Sequence, residues 1–314
     1  MTFSLFAGLL LLLSGCGTKS DQEATDPVFP PFDFEYDLKE PDATFEMDKD
    51  LKEISGLSLT ADGRYFVAIQ DEDGTVFFIN KNNGEIEREI DFWKDGDYEG
   101  VEVAGEEIFV VKSSGTLYRI GDVTKAHLSV DKYNQTLGNK NNVEGLAYDA
   151  ANNRLLLACK GDAGDGATYR FKKAIYAFNL ATMLMDTSPV YLISLEDVQA
   201  YLGTSPPIRK LQKLLDDFSL EESDFIFGPS GIAIHPITGH YYITSSIGKL
   251  LMVLDPSGAI LHIEKLDDDV HPQPEGICFD TDGTLYIANE GKGDDGVIHR
   301  FRFRGIGNKP ARSE

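Results

Sequence analysis

Basic residues are scarce. Against 52 Asp and Glu the 314-residue chain has only 29 Lys and Arg, a formal charge of −23. A surface that acidic repels phosphate backbones, which argues against nucleic acid as a partner. Cysteine is nearly missing as well. Beyond Cys16 there are only Cys159 in "RLLLACK" and Cys278 in "GICFD", each inside an apolar run with no CxxC spacing. That pattern predicts two free, buried thiols rather than a disulfide framework or thiol chemistry. The six histidines (His127, His235, His240, His262, His271 and His299) form no HExxH pair, and there is no G-x-S-x-G elbow or P-loop. Common zinc-hydrolase, serine-hydrolase and nucleotide chemistries lack their sequence signatures here.

Long hydrophobic runs are absent except for "LFAGLLLLLSGCG" at the N-terminus. That run is too short for an ordinary spanning helix. Its end, Leu13-Ser14-Gly15-Cys16, resembles a bacterial lipobox, whose small residues admit a signal peptidase and whose Cys thiol accepts a lipid. No Lys or Arg precedes the run, a departure from the usual positive leader. Residues 1–16 are read as a lipoprotein signal peptide with Cys16 as the lipidation site. Residues 17–33 follow as a polar tether. The expected location is the bacterial cell envelope, anchored to a membrane, periplasmic or surface-facing.

What is present is repetition. "EISGLSLTADGRYFVAIQ", "DYEGVEVAGEEIFVVKSSG", "NVEGLAYDAANNRLLLACKG", "GPSGIAIHPITGHYYITSS" and "QPEGICFDTDGTLYIANEG" share one plan. Each has a short strand, a Gly/Asn/Asp turn and a second apolar strand, then a polar break and a third strand. The entry glycines Gly56, Gly100, Gly145, Gly231 and Gly276 are spaced by 44, 45, 86 and 45 residues. Asp62-Gly63 and Asp282-Gly283 supply hairpin turns that need positive φ. A β-meander repeating at this length predicts an all-β propeller spanning residues 34–305, since one sheet cannot bury both faces and a ring of them can. "KAHLSVD" and "SPVYLISL" are candidate fourth strands. "FDFEYDL" is expected in the outer part of the last blade, closing the ring, and residues 306–314 form a tail.

The interval of 86 has two readings. It is nearly twice the repeat, so a sixth blade is possible. But residues 194–218 carry helix signals: Ser194 with Asp197 resembles a capping box and Gly203 a stop. Ser205-Pro206 then starts a second helix with Ile208, Leu211, Leu215 and Phe218 on one face. Five blades with a helical insertion after blade three is the preferred reading.

In such a ring the start of each first strand and the end of each second strand lie at one mouth. The residues before the entry glycines are Ser55, Glu99, Glu144, Ser230 and Glu275, and the following breaks supply Asp71, Lys112, Lys160, Ser245, Asn289 and Glu290. Converging carboxylates need a cation, a base or protons. Lys112 and Lys160 are candidate internal counterions. Ca²⁺ is the candidate cofactor, with Glu99, Glu144, Glu275 and Asn289 as ligands. The "DEDG" at Asp71–Gly74 and the "GDAGDG" at Gly161–Gly166 lack EF-hand spacing and are read as turns. A glycine after each acid has a plain steric reason, because backbones crowd near an axis.

The "EISGL" entry, the "VEGLAYD" and "PEGICFD" repeats, "PSGIAIHP" and "LYIANE" together resemble the SdiA-regulated propeller family over about residues 34–303. The resemblance implies an envelope β-propeller, usually of five blades, with no established reaction and some members tied to calcium responses. Family members often carry an acid after the second strand; this chain keeps Asp71-Glu72 and Glu290 but has Lys112-Ser113, Lys160-Gly161 and Ser245-Ser246 elsewhere. Two functions follow. The favoured one is a lipid-anchored, monomeric binding or scaffold module for a small ligand, cation or envelope protein. The alternative is a calcium-dependent hydrolase of lactonase or phosphotriesterase type, with His271 as base. Fold alone licenses no reaction.

Overall fold

The computed structural model describes residues 32–121, 128–204 and 227–305. Cys16, most of the tether, His127, the second predicted helix and the tail lie outside the described residues. Within them five antiparallel sheets form, and the spacing of 86 holds no sixth. Blade one runs Ile54–Leu59, Tyr65–Gln70, Thr75–Asn80 and Ile86–Asp91. Blade two follows as Tyr98–Ala104, Glu107–Lys112, Leu117–Gly121 and Ser129–Tyr133. Blade three has Val143–Asp149, Arg154–Cys159 and Lys172–Asn179. Its fourth position is shared by two short strands, Leu184–Met185 and Tyr191–Ser194, which pair with opposite ends of the third. Blade four is Gly228–Ile234, Tyr241–Ile247, Leu250–Leu254 and Ile260–Lys265. Blade five contributes Pro274–Phe279, Leu285–Asn289 and Val297–Phe301.

The ring closes, but not with the predicted segment. The strand Ala43–Glu46 pairs antiparallel with Val297–Phe301 and supplies the fourth strand of blade five. "FDFEYDL" instead crosses the outer cleft between blades four and five as an unpaired strap. Tyr36 and Leu38 are buried there among Tyr242, Val253, Leu285 and Phe301. Nδ1 of His235 accepts from the amides of Ile237 and Thr238 at 3.2 and 3.1 Å. Its Nε2–H is thereby the donor to the Tyr36 hydroxyl at 2.8 Å, which donates in turn to Gly283 O at 2.6 Å. Burial drives His235 down to about 4, so the ring stays neutral in this chain of bonds. Aromatic residues with nothing opposite them in a sheet register are better satisfied by a cleft than by a ladder, which is why the alternation misleads.

The helix Leu195–Thr204 follows blade three as the capping pattern predicts, with the Asp197 amide donating to Ser194 Oγ at 3.0 Å. Leu195, Val198, Tyr201 and Leu202 pack into the core shared by blades three and four. Gly63 and Gly283 adopt φ of 65° and 88°, as their hairpin turns require. Cys159 and Cys278 are free and buried. Among the described residues no helix is long and apolar enough to cross a membrane.

First strands touch in the order one, two, three, four, five and back to one. The entry glycines make that circle possible. A Cβ on Gly231 would stand 2.2 Å from Glu275 O, and one on Gly56 2.8 Å from the Val101 amide. Gly100, Gly145 and Gly276 meet the next blade in the same way.

Candidate functional site

Each first strand breaks register just at its entry. Pairing jumps from Ile54 to Gly56, Tyr98 to Gly100, Val143 to Gly145, Pro229 to Gly231 and Pro274 to Ile277. One extra residue is therefore bulged at Ser55, Glu99, Glu144, Ser230 and in the Glu275 pair, which frees its side chain from the alternating faces. Where that residue is serine it stitches blades together. Ser55 Oγ donates to Tyr98 O at 2.9 Å and Ser230 Oγ to Pro274 O at 2.6 Å. Behind the bulges Leu57, Val101, Leu146, Ile232 and Ile277 close the axis around a cavity of ≈ 10 Å³. The hub is a plugged mouth, not a pore.

The three glutamates do meet at this mouth. Glu144 is 4% exposed and Glu275 8%. Lys160 Nζ lies 2.8 Å from Glu144 Oε2, and Asn142 Nδ2 donates to Glu144 Oε1 at 2.7 Å. Burial would strip Lys160 of its proton, but Glu144, Glu275 and Glu99 outweigh it and hold the ammonium charged. Burial raises Glu144 above the ordinary carboxylate range, while Lys160 and Asn142 pull it back. The other two pay the repulsion. Glu99 is pushed up to about 9 by burial, Glu144 and Asp97, and Glu275 to about 8 by burial and Glu144. The inner ring is one ion pair beside two carboxyl groups held toward their acid form.

Asp71, Lys160 and Glu290 lie around this mouth. Asp71 is raised to about 6 by burial and by Glu53, and its Oδ1 has no hydrogen-bond partner. Glu290 is raised by burial and Glu53, and accepts from Gln273 Nε2. Lys112, Ser245 and Asn289 do not belong. They sit one residue earlier, on strand positions that face a neighbouring blade. Lys112 lies over the Tyr98 ring at 5.1 Å. Ser245 Oγ accepts from the Gly228 amide at 3.0 Å and donates to Ile247 O at 2.5 Å. Asn289 continues the face of Leu285 and Ile287 toward blade four. The hub-facing partners are the next residues, Ser113 and Ser246. Ser113 bonds Asp97, and Ser246 bonds Glu275.

His271 is likewise displaced from the mouth. It is fully buried against His299 and Phe301, its Nε2 is bonded to Leu38 O at 2.9 Å, and burial lowers it to about 4. The hydrolase arrangement of Glu99, Glu144, Glu275, Asn289 and His271 is not assembled. Nor do the residues fit a calcium site. Among the described residues no three His, Cys, Asp or Glu side chains stand where they would share one metal ion. The Lys160 ammonium stands at the carboxylates instead.

Ser113 and Ser246 come from the breaks the sequence placed at this mouth; Asp97 and Asn142, bonded to Ser113 and Glu144, were not foreseen, and neither was Glu102. Glu102, on blade two, links it to both neighbouring blades. Its carboxylate accepts from Ser58 Oγ at 2.6 Å, the Val103 amide at 2.8 Å and the Tyr148 amide at 3.2 Å. Burial raises it to about 7. Its one sequence signal was an acid in the middle of the apolar "GVEVAG" strand.

The SdiA-regulated family profile matches residues 33–162 and 183–292. The chain belongs to the SdiA-regulated family. Solved structures similar to this member match it at low identity. Glutaminyl cyclase of Myxococcus xanthus is 10% identical over 84% of this chain and 95% of its own, with a TM-score of 0.54. A PQQ-bound aldose sugar dehydrogenase from Streptomyces coelicolor is 12% identical over 84% and 97%, at 0.48. A gluconolactonase from Xanthomonas campestris is 13% identical over 79% and 72%, at 0.47. Their activities are their own; the likeness to the glutaminyl cyclase is one of fold alone.

Proposed function

We propose that this SdiA-regulated family member is a binding propeller whose acidic mouth takes a cationic, amine-bearing ligand or the basic side chains of a protein partner. The observation that carries the reading is Lys160. Three glutamates converge, and what they hold is an alkylammonium at 2.8 Å from Glu144. Glu99 and Glu275, protonated at neutral pH, form the reserve of charge that a second cation would draw out. Binding there couples to proton release. The remaining acids of the same end, Glu53, Asp71, Glu72 and Glu290, act on one another through space and attract the same sign of ligand.

The test is calorimetry with spermidine in two buffers of different ionisation enthalpy at pH 7.5. Saturable binding is expected, with proton release that Glu99→Gln and Glu275→Gln together remove. Binding without proton release, or no binding, refutes it. Ca²⁺ alone is the comparison: a saturable heat that Glu144→Gln abolishes would restore a metal site in place of the amine site.

The leader completes the proposal. Acylated at Cys16, the propeller is held to an envelope membrane with the tether as its leash. Cys16→Ser is expected to release the protein into the soluble fraction on membrane flotation, and retention on membranes would refute the anchor.

A further inference from the structure

The acids of the mouth continue outward from the hub. Strands of blade one alternate in direction, so its fourth, Ile86–Asp91, ends on the mouth side, where Tyr98–Ala104 opens blade two. The connection Phe92-Trp93-Lys94-Asp95-Gly96-Asp97 therefore crosses the mouth face from rim to axis. A fourth and a first strand are three strand spacings apart, a radial run of about 14 Å.

The loop between strands two and three of blade one fixes this path along its length. The Phe92 and Trp93 amides donate to Gly74 O at 2.8 and 3.2 Å, the Gly96 amide to Glu72 O at 2.8 Å and the Tyr98 amide to Asp71 O at 2.9 Å. Gly74 permits the approach, since a Cβ there would stand 2.3 Å from Trp93 O. The two loops, side by side, bring Asp71, Glu72, Asp73, Asp95 and Asp97 onto one strip, on which Lys94 is the single base. Among the described residues none of these acids is in an ion pair. At the inner end Asp97 acts through space on Glu99 of the hub.

The outer end is an exposed ring. Trp93, the single tryptophan of the chain, is 41% exposed, and no other aromatic is among the large apolar side chains exposed in the described residues. Its ring leans on Tyr118 with centroids 5.3 Å apart, in a cluster that includes Phe92 and Tyr98. Ammonium groups of the chain itself already use that cluster. Lys112 Nζ lies 5.1 Å from the Tyr98 centroid and Lys132 Nζ 5.8 Å from that of Tyr118. Among the described residues no cation lies over Trp93, although indole is the best of the aromatic faces for one.

We propose that Trp93 is the outer recognition residue of the amine site, and that the ligand is a linear polyamine lying along this strip. One ammonium sits at the hub and the far end of the chain lies on the indole. The inference rests on the reading of the hub as an amine site. A monoamine reaches only one end, whereas amines several methylenes apart meet carboxylates along the whole run and cover the indole with apolar stem. The chemistry favours a polyamine over a basic peptide. Carboxylates are acceptors only, and the loop amides along the strip are already bonded, so a peptide's own carbonyls would find few donors.

The probe is spermine, with propylamine as the monoamine, titrated into the full chain at pH 7.5 by calorimetry and by the emission of Trp93. Spermine is expected to saturate with a change in that emission, and propylamine to bind without one. Trp93→Ala is expected to lower the preference for spermine over propylamine about threefold or more, and Trp93→Phe to lower it less. The ring is exposed, so both variants are expected to fold. Spermine binding with silent Trp93 emission, or a preference that survives Trp93→Ala, overturns the inference and leaves the hub reading standing. So does an N-acetyl tetralysine amide that outbinds spermine, which would make the ligand a protein segment. Failure of both amines to bind overturns the inference and the hub reading together.

Discussion

Gly231→Ala is expected to cost about 3 kcal/mol or more and to lower the yield of folded protein, whereas Gly138→Ala leaves stability within about 0.5 kcal/mol. A methyl on Gly231 would stand 2.2 Å from Glu275 O and 2.8 Å from Thr244 Oγ1. The first contact is backbone of the next blade, which moves only if the circle of first strands widens. Relief at one interface has to be taken up at four others. Gly138 has nothing within 4 Å of its would-be Cβ, so the same chemical change there tests glycine's backbone entropy alone. Urea denaturation of both variants decides the matter. Equal stabilities would mean that the hub is not the closing contact of the ring.

Lys160→Met should be the most damaging charge change, at about 3 kcal/mol near pH 8, while Glu144→Gln costs roughly 1 kcal/mol. The asymmetry follows from who remains. Without Lys160, three buried carboxyl groups share a site with no cation, and Glu144 must take a proton or stand uncompensated. Without the Glu144 charge, Lys160 still faces Glu275 and Glu99, and either can ionise in its place. The pH dependence carries a definite sign. Glu99 and Glu275, at about 9 and about 8, lie above the ordinary 4.5, so the folded protein holds more protons than the unfolded chain in between. Their stabilisation is complete below about pH 4.5 and is lost as pH rises through those folded values, at about 1.4 kcal/mol per unit per group at most. The penalty of Lys160→Met should therefore shrink toward pH 5 and grow toward pH 8. Unfolding curves at pH 5, 6.5 and 8 check it; a flat penalty would sink this charge arrangement.

The hub glutamates were legible because Glu99, Glu144 and Glu275 each precede a glycine at a repeated interval, and a repeat fixes equivalent places in a ring. Their mouth partners were harder. Lys112, Ser245 and Asn289 read as mouth residues because the polar break begins with them, but a strand's period of two sends them between blades and their successors Ser113 and Ser246 inward. A one-residue difference in where a strand ends reverses the face, and composition does not mark it. The strap misled for a related reason: "FDFEYDL" alternates like a strand, yet Ala43–Glu46, with weaker alternation, took the edge of blade five. Edge pairing is decided by which segment reaches the open ladder, not by propensity.

The order of residues along the chain was enough to set the kind of repeat and to favour five over six, and to place the hairpin glycines, the capped helix after blade three and the meeting of three acids, because these depend on short-range periodicity repeated at fixed intervals. Tertiary structure alone decided that Lys160 stands against Glu144 among those acids, that Glu102 bonds to both neighbouring blades, and that the strap fills the cleft between blades four and five. Those outcomes depend on distances between residues far apart in sequence, where burial and charge are settled only once the ring has closed.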